Sequence, residues 1–266
     1  MNYGTYLRTV SIDLKLAHWL KNELGSAHDK VQVINLGCGS DLRMLSFLAS
    51  YSNIEWIDLD YEEVVTFKAT ILQNNAKFRA ALRIEGKRPE DSPSFENVIT
   101  GRYKLLPCNI IDNEQLTPIL RQYSNSDVPT VILTECVLCY LDETKASDLI
   151  TTITNIYKDG YWISYDPIGG SGSNDRFGSI MQDNLRESRQ LNMPTLMVFN
   201  SEDKYKDRFP GTSYIETMWD YYQNQLDEAE RQRLKTLQFL DEIEELQVIF
   251  SHYVICCTSW NFKPSH

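Results

Sequence analysis

The sequence predicts an α/β fold: a mostly parallel, doubly wound sheet in one domain. Three observations carry this. Short apolar runs alternate with amphipathic stretches along the chain. The first run, Val31–Leu36, leads straight into Gly37-Cys38-Gly39, a tight strand-to-helix turn. A later run, Thr130–Glu135, is apolar almost throughout, as in a strand covered on both faces.

The first helix is expected over residues 5–24, where Leu7, Val10, Leu14, Ala17, Leu20 and Leu24 fall at helical spacing and Gly25 can cap the end. Strand Val31–Leu36 and its glycine turn precede a helix over 42–50, a strand over 54–58 and a helix over 61–75. Residues 86–94 mix Gly, Pro and charge and read as a surface excursion. A strand over 103–110 and a helix over Asn113–Tyr123 follow, then Thr130–Glu135, a helix over 143–157 and a strand over 161–165. A Gly/Ser-rich loop over 169–173 opens a helix over 176–190. Residues 193–225 are irregular in pattern, 228–246 read as a charged helix, and 248–258 alternate as a late added strand. Residues 1–266 form a single domain in this reading, with a helical insertion at 169–230 over the carboxyl ends of the strands, where such sheets bind ligands.

Composition narrows the function. The 266 residues hold 26 Lys plus Arg against 37 Asp plus Glu, a net charge of −11. That disfavours a protein gripping nucleic acid by its phosphates or adsorbing to an anionic membrane. No stretch approaches the ~20 apolar residues of a membrane-spanning helix, and Met1-Asn2-Tyr3-Gly4 lacks the plan of a signal peptide. The six cysteines are poorly spaced for a disulfide framework, so a reducing, cytoplasmic setting is expected. Cys136 and Cys139 form a CxxC without a second half; they read as buried small apolar groups, and no metal site is expected. The acidic run 242–245 reads as a solvated face.

Gly37 and Gly39 permit positive φ and a close backbone approach to a ligand. A dinucleotide fingerprint would need a third glycine at 42, where Leu42 stands; this disfavours NAD. Asp60, beyond the second strand, can accept both hydroxyls of a ribose. The GxG turn with an acidic residue at this spacing resembles S-adenosylmethionine-dependent methyltransferases. The competing readings are a plain βα turn and a helix-capping Asp60, with Asp58 a rival for the ribose role. Asn109, Ile110 and Asp112 follow the third strand, where an adenine contact or an Asx turn is expected. Glu135 closes an apolar strand, where a carboxylate needs a partner: a cofactor amine or sulfonium, or the next helix.

Four motifs in order resemble one family. Tyr6-Leu7-Arg8-Thr9, Asn35-Leu36-Gly37-Cys38-Gly39-Ser40-Asp41, Thr134-Glu135-Cys136-Val137-Leu138-Cys139-Tyr140 and Asn174-Asp175-Arg176-Phe177-Gly178 are similar to leucine carboxyl methyltransferases, above all the fungal enzymes acting on protein phosphatase 2A. The resemblance covers essentially the whole chain. It implies S-adenosylmethionine as cofactor, S-adenosylhomocysteine as product, and the α-carboxylate of the C-terminal leucine of the phosphatase catalytic subunit as acceptor. Arg8 would meet the cofactor's carboxylate near the acceptor, Gly37 and Gly39 would approach the cofactor, Asp60 would hold the ribose, Asn109 and Ile110 would flank the adenine, and Glu135 would face the amino end. Tyr140 would face the acceptor carboxylate, with Asp175 and Arg176 as further substrate-binding candidates. The family usually has aspartate where this chain has Asn109. It also extends before the Tyr3 segment with a basic, site-closing stretch, so either a trimmed piece or a chain without this lid is expected.

Methyl transfer to a carboxylate needs little acid–base help, because an α-carboxyl titrates near ~3.5. Alignment in a dry pocket can supply ~7–11 kcal/mol. No metal and no covalent intermediate are expected. The alternatives are a non-catalytic phosphatase-binding module and a related tRNA-modifying methyltransferase; the latter branch carries a further repeat domain. A monomer is expected.

Overall fold

The computed structural model describes residues 2–26, 29–85, 97–172, 174–237 and 243–261. In chain order the elements are α1 (Asn2–Ser26), β1 (Val31–Leu36), α2 (Arg43–Ser50), β2 (Ile54–Asp60), α3 (Glu62–Asn74), α4 (Ala76–Leu82), β3 (Val98–Ile99), β4 (Tyr103–Pro107), α5 (Asn113–Tyr123) and β5 (Thr130–Glu135). A 3-10 turn, Leu138–Tyr140, precedes α6 (Glu143–Ile156) and β6 (Gly160–Pro167). The last part holds α7 (Phe177–Arg189), α8 (Glu202–Lys206), β7 (Thr212–Thr217), α9 (Met218–Asp220) continued by a π turn over Tyr221–Gln225, α10 (Glu228–Leu237), α11 (Ile243–Phe250) and β8 (Tyr253–Trp260). The strands form one open sheet in the order β3-β4-β2-β1-β5-β6-β8-β7. β1 pairs in parallel with β2 and with β5, and β2 with β4; the edge pair β3–β4 is antiparallel.

The chain divides into two compact units, one of residues 18–135, 148–162 and 259–266, the other of 1–17, 136–147 and 163–258. The first holds β1 to β5. Its central strands are buried on both faces, with Val31, Val33, Ile34, Leu36, Ile57, Leu59, Val131 and Ile132 out of contact with solvent, which is why their sequences read as apolar runs and not as alternation. A polar network runs through this core. Asp58, 0% exposed, accepts from the Trp56 indole at one oxygen (2.7 Å) and from Lys68 (2.8 Å) and Tyr103 (2.7 Å) at the other. Burial is the largest influence on the Lys68 ammonium and acts to lower it, but the charge and hydrogen bond of Asp58, with Cys38 and Asp41, together prevail and raise the pKa; burial and then Asp58 drive the Tyr103 hydroxyl well up. At the end of β8, Trp260 packs so closely over Gly160 that a Cβ there would lie 1.9 Å from the ring, and its indole donates to the Tyr157 carbonyl at 3.0 Å.

The other unit buries Leu7, Ile12 and Leu16 of α1 with Tyr205, Met218 and Tyr221. Ion pair Lys15–Glu216 (2.7 Å) and the hydrogen bond from Tyr6 to Glu230 tie α1 to β7 and α10.

Several boundaries differ from expectation for physical reasons. Helix α1 is longer than 5–24: Tyr3, 3% exposed, anchors its first turn, and Gly25 lies inside it and does not cap it. The strand expected to 110 stops at Pro107. The single helix over 228–246 is two, and residues 248–250, expected as strand, belong to α11; Leu246 and Phe250, four apart, are helical spacing that short alternation imitates. The stretch 193–225 contains α8, β7 and α9. β7 was invisible because Thr212 and Tyr214 are exposed, and β3 because two residues carry no period. The expected excursion at 86–94, Ser173 of the Gly/Ser-rich loop and Glu242 of the acidic run lie outside the described residues.

Candidate active site

In the unit that holds β1 to β5, the parallel register brings the carboxyl ends of β1, β2, β4 and β5 to one edge: Leu36 pairs with Leu59 and with Thr134, and Asp60 with Pro107. Gly37, Asp60, Asn109 and Glu135 therefore come together there, as the crevice rule for such sheets requires. The turn after β1 reverses by Gly37 at φ 68° and Gly39 at φ 47°, left-handed values that glycine adopts without steric cost. The Gly37 and Cys38 amides donate to the Leu59 carbonyl at 2.9 and 3.2 Å.

Asp60 braces this turn. Its Oδ2 accepts from the Gly39 amide and its Oδ1 from the Tyr61 amide, each at 2.7 Å. Asp58 points into the core network and is consumed there. Beyond β4, the Cys108 amide donates to the Asp60 carbonyl at 2.7 Å. Asn109 Oδ1 accepts a long bond from the Ile111 amide (3.4 Å), an Asx-type arrangement, and Ile110 is buried. Asp112 caps α5 through the Glu114 amide.

Glu135 has a partner that sequence reasoning missed. Arg43, with a side chain 6% exposed, reaches Glu135 at 2.7 Å and Asp41 at 3.1 Å. Asp41 in turn accepts from Asn35 Nδ2 (3.0 Å) and from the Arg43 amide (2.8 Å). Burial raises the Asp41 carboxyl more than the Arg43 charge lowers it. This chain of side chains laces β1, the glycine turn, α2 and β5 together.

In the other unit, Tyr140 ends the 3-10 turn and is 40% exposed. Its hydroxyl is pushed up to about 12 by burial first, then by Cys139, Cys136 and Asp166, with Arg189 opposing. Tyr253 is also pushed up to about 12, by burial and then Cys136, Cys139 and Tyr140, with Arg8 opposing. Tyr140 and Arg8 thus act on the Tyr253 hydroxyl in opposite directions, and the Tyr253 ring stacks on Tyr165 at 5.7 Å. An open groove of about 870 Å³ has Asp175, Arg176, Phe177, His252 and Tyr253 in its lining. Arg176 is exposed. Asp175 is bound to its own unit: it accepts from the Phe177 amide at 3.1 Å and pairs with His252 at 2.8 Å. Burial raises its carboxyl, but the His252 and Phe177 bonds prevail and hold it below the usual range.

The profile of the leucine carboxyl methyltransferase family matches residues 1–154. Leucine carboxyl methyltransferase 1 of Kluyveromyces lactis is 76% identical over 98% of this chain and 78% of its own length. The chain belongs to the leucine carboxyl methyltransferase family. It is a methyltransferase, and the reaction of its family is carboxyl methylation. The fold recurs in solved structures. A DUF574 family protein from Streptomyces avermitilis superposes with TM-score 0.59 at 13% identity, over 95% of this chain and 82% of that one. Geranyl diphosphate C-methyltransferase from Streptomyces coelicolor A3(2), in complex with Mg2+, geranyl-S-thiolodiphosphate and S-adenosyl-L-homocysteine, gives 0.51 at 12%, over 92% and 74%.

The β-sheet edge of this methyltransferase fits a nucleoside. A Cβ at Gly39 would meet nothing within 4 Å, so the turn faces open space. Each Asp60 oxygen accepts one amide and keeps a lone pair for one hydroxyl of a diol. Among the described residues no three His, Cys, Asp or Glu side chains are grouped to hold a metal ion. Two residues escaped the sequence reading. Arg43 carries a signal in retrospect, a cation two positions after Asp41 at the start of an otherwise apolar helix. Tyr253 stood out only as part of a late strand.

Proposed function

We propose that the chain transfers a methyl group from S-adenosylmethionine to the α-carboxylate of the C-terminal leucine of the protein phosphatase 2A catalytic subunit. Family membership supports the carboxyl acceptor. The observation that carries the cofactor is the sheet edge, where an open glycine turn stands beside a braced Asp60. The S-adenosyl-L-homocysteine bound in the Streptomyces coelicolor enzyme of similar fold agrees with it.

When bound, S-adenosylmethionine supplies an electrophilic methyl on a sulfonium. Asp60 would hold the ribose hydroxyls, Ile110 and Asn109 would flank the adenine, and Glu135, held by Arg43 at 2.7 Å, would face the amino end. Arg8, which would also meet the cofactor's carboxylate, and the Tyr140 hydroxyl would hold the acceptor carboxylate. That carboxylate is ionised at neutral pH, because an α-carboxyl titrates near ~3.5, so no base is needed. One guanidinium and one hydroxyl orient an oxygen lone pair without fully quenching it. Tyr140, pushed up to about 12, remains a donor throughout. None of the six cysteines, all among the described residues, is in a disulfide, which suits the reducing cytoplasm proposed for this activity.

The test is incubation with methyl-labelled S-adenosylmethionine and phosphatase core, beside core whose catalytic subunit lacks its terminal leucine. Base-labile label on the intact subunit alone is the expected result. Label on neither, or on both equally, refutes the acceptor.

A further inference from the structure

The 3-10 turn that presents Tyr140 is held from both sides by side chains with no part in the chemistry described above. The Thr195 hydroxyl lies 3.1 Å from the Leu138 carbonyl oxygen and 3.4 Å from that of Cys139. From the opposite polarity, the Cys139 amide donates to Asp166 Oδ1 at 3.4 Å. Asp166 is 0% exposed. Its Oδ2 accepts from the Tyr205 hydroxyl at 2.6 Å. Since that proton is committed to the carboxylate, the 2.6 Å contact between Tyr205 and Ser164 has the Ser164 hydroxyl as donor.

Two further facts bear on the turn. Cys136, which enters it, has φ 54°, a left-handed value that costs a non-glycine residue energy and persists only where the surroundings enforce it. Its amide is fixed on the Tyr165 carbonyl at 2.7 Å. Underneath, Cys139 packs with Met193 and Leu196, and Met181 and Leu185 lie against that cluster. A buried carboxylate is expensive unless its oxygens are bonded. Here its bonds go to a backbone amide of this turn and to a tyrosine that is itself fixed. So much buried polar bonding around three residues, ending in a side chain left 40% exposed, is how a rigid scaffold aims a functional group.

We propose that Thr195 and Asp166 are positioning residues for Tyr140, clamping the carbonyl and amide sides of its turn so that the hydroxyl meets the acceptor carboxylate in one orientation. The proposal rests on the reading of Tyr140 as the acceptor-facing hydroxyl.

The test is a double-mutant cycle of Thr195→Val and Tyr140→Phe, with Thr195→Ser as the conservative control. It is read by steady-state kinetics with phosphatase core as acceptor, by calorimetric binding of S-adenosylhomocysteine and by amide hydrogen exchange at residues 138–141. Thr195→Val should lower kcat/KM for the acceptor roughly tenfold, short of the ~10²-fold of a 1 Å misplacement, with binding of S-adenosylhomocysteine unchanged. Thr195→Ser should restore the rate. Exchange in the turn should quicken about tenfold in Thr195→Val. In the Tyr140→Phe background Thr195→Val should cost less than about twofold, because residues acting as a unit are not additive. If the tenfold loss persists in that background, or exchange is unchanged, the clamp is wrong. If Tyr140→Phe itself leaves kcat/KM intact, the reading of Tyr140 fails, and exchange still decides whether the turn is clamped. Should Thr195→Val not fold, Asp166→Asn enters the same cycle with the same expectations.

Discussion

Replacing Arg43 by methionine removes one guanidinium and leaves two carboxylates behind. Methionine keeps much of the apolar volume of the stem, so the loss is chiefly electrostatic. Arg43 lies 2.7 Å from Glu135 and 3.1 Å from Asp41, and those side chains are 19% and 18% exposed. Taking one partner from a fully buried pair costs ~3–5 kcal/mol. Partial hydration of both carboxylates reduces this to about 2–3 kcal/mol. With a urea m-value near ~3 kcal/mol/M, the unfolding midpoint should fall by ~0.7–1 M at constant m. The loss should depend on pH in a stated direction. Asp41 already has a raised carboxyl pKa through burial, with Arg43 opposing; without Arg43 it rises further. A carboxylate with a raised folded pKa loses stability as pH rises through that pKa, so the deficit should be full at pH 7 and shrink toward pH 4. Adding Glu135→Gln to Arg43→Met should recover part of the loss, since the carboxylate that faced the lost guanidinium is neutralised. A midpoint shift under ~0.2 M, or a deficit that grows on acidification, would refute the reasoning.

Three further outcomes follow from the geometry. Asp60→Asn should weaken S-adenosylhomocysteine binding by ~10–100-fold in calorimetry, the ~1.5–3 kcal/mol of hydrogen bonds to a charged acceptor; unchanged affinity would remove Asp60 from the ribose role. Because Tyr140 is pushed up to about 12, the rate at saturating acceptor should hold level from pH 8 to 10, and a fall with a midpoint near ~10, the ordinary tyrosine value, would contradict its environment. Gly160→Ala drives a methyl into the Trp260 ring and should cost about 1–3 kcal/mol, or ~2–4 °C of melting temperature per kcal/mol for a chain this long; a calorimetric scan indistinguishable from the parent would count against that packing.

What the sequence disclosed was decided by how local each signal is. β1, β2 and β5 were legible because strands buried on both faces read as apolar runs. The Gly37–Gly39 turn was legible because positive φ has one cheap residue. Preferring Asp60 to Asp58 needed only distance along the strand, and the structure directs the two into different surroundings. The Arg43–Glu135 pair was not legible: it joins positions 92 apart, and nothing in either neighbourhood names the other. The clamp on Tyr140 was hidden for the same reason, since Thr195 stands 57 positions from Leu138. β7 and α11 were lost where exposure blurred the period.

The network around Asp58 has a consequence for how this family can drift. Asp58, Lys68, Tyr103 and Trp56 satisfy one another where water cannot substitute. Losing Lys68 strands an anion in the core, and losing Asp58 strands a cation, so each single change passes through a chain of reduced stability. Positions 58 and 68 should therefore covary. In a library randomised at both, selected for folding, survivors should carry an opposite-charge pair or two uncharged residues, and half-changed pairs should be depleted. The active-site edge would then inherit a constraint from two residues that never touch a substrate: β2 ends in Asp60, and its path is held in place two residues earlier.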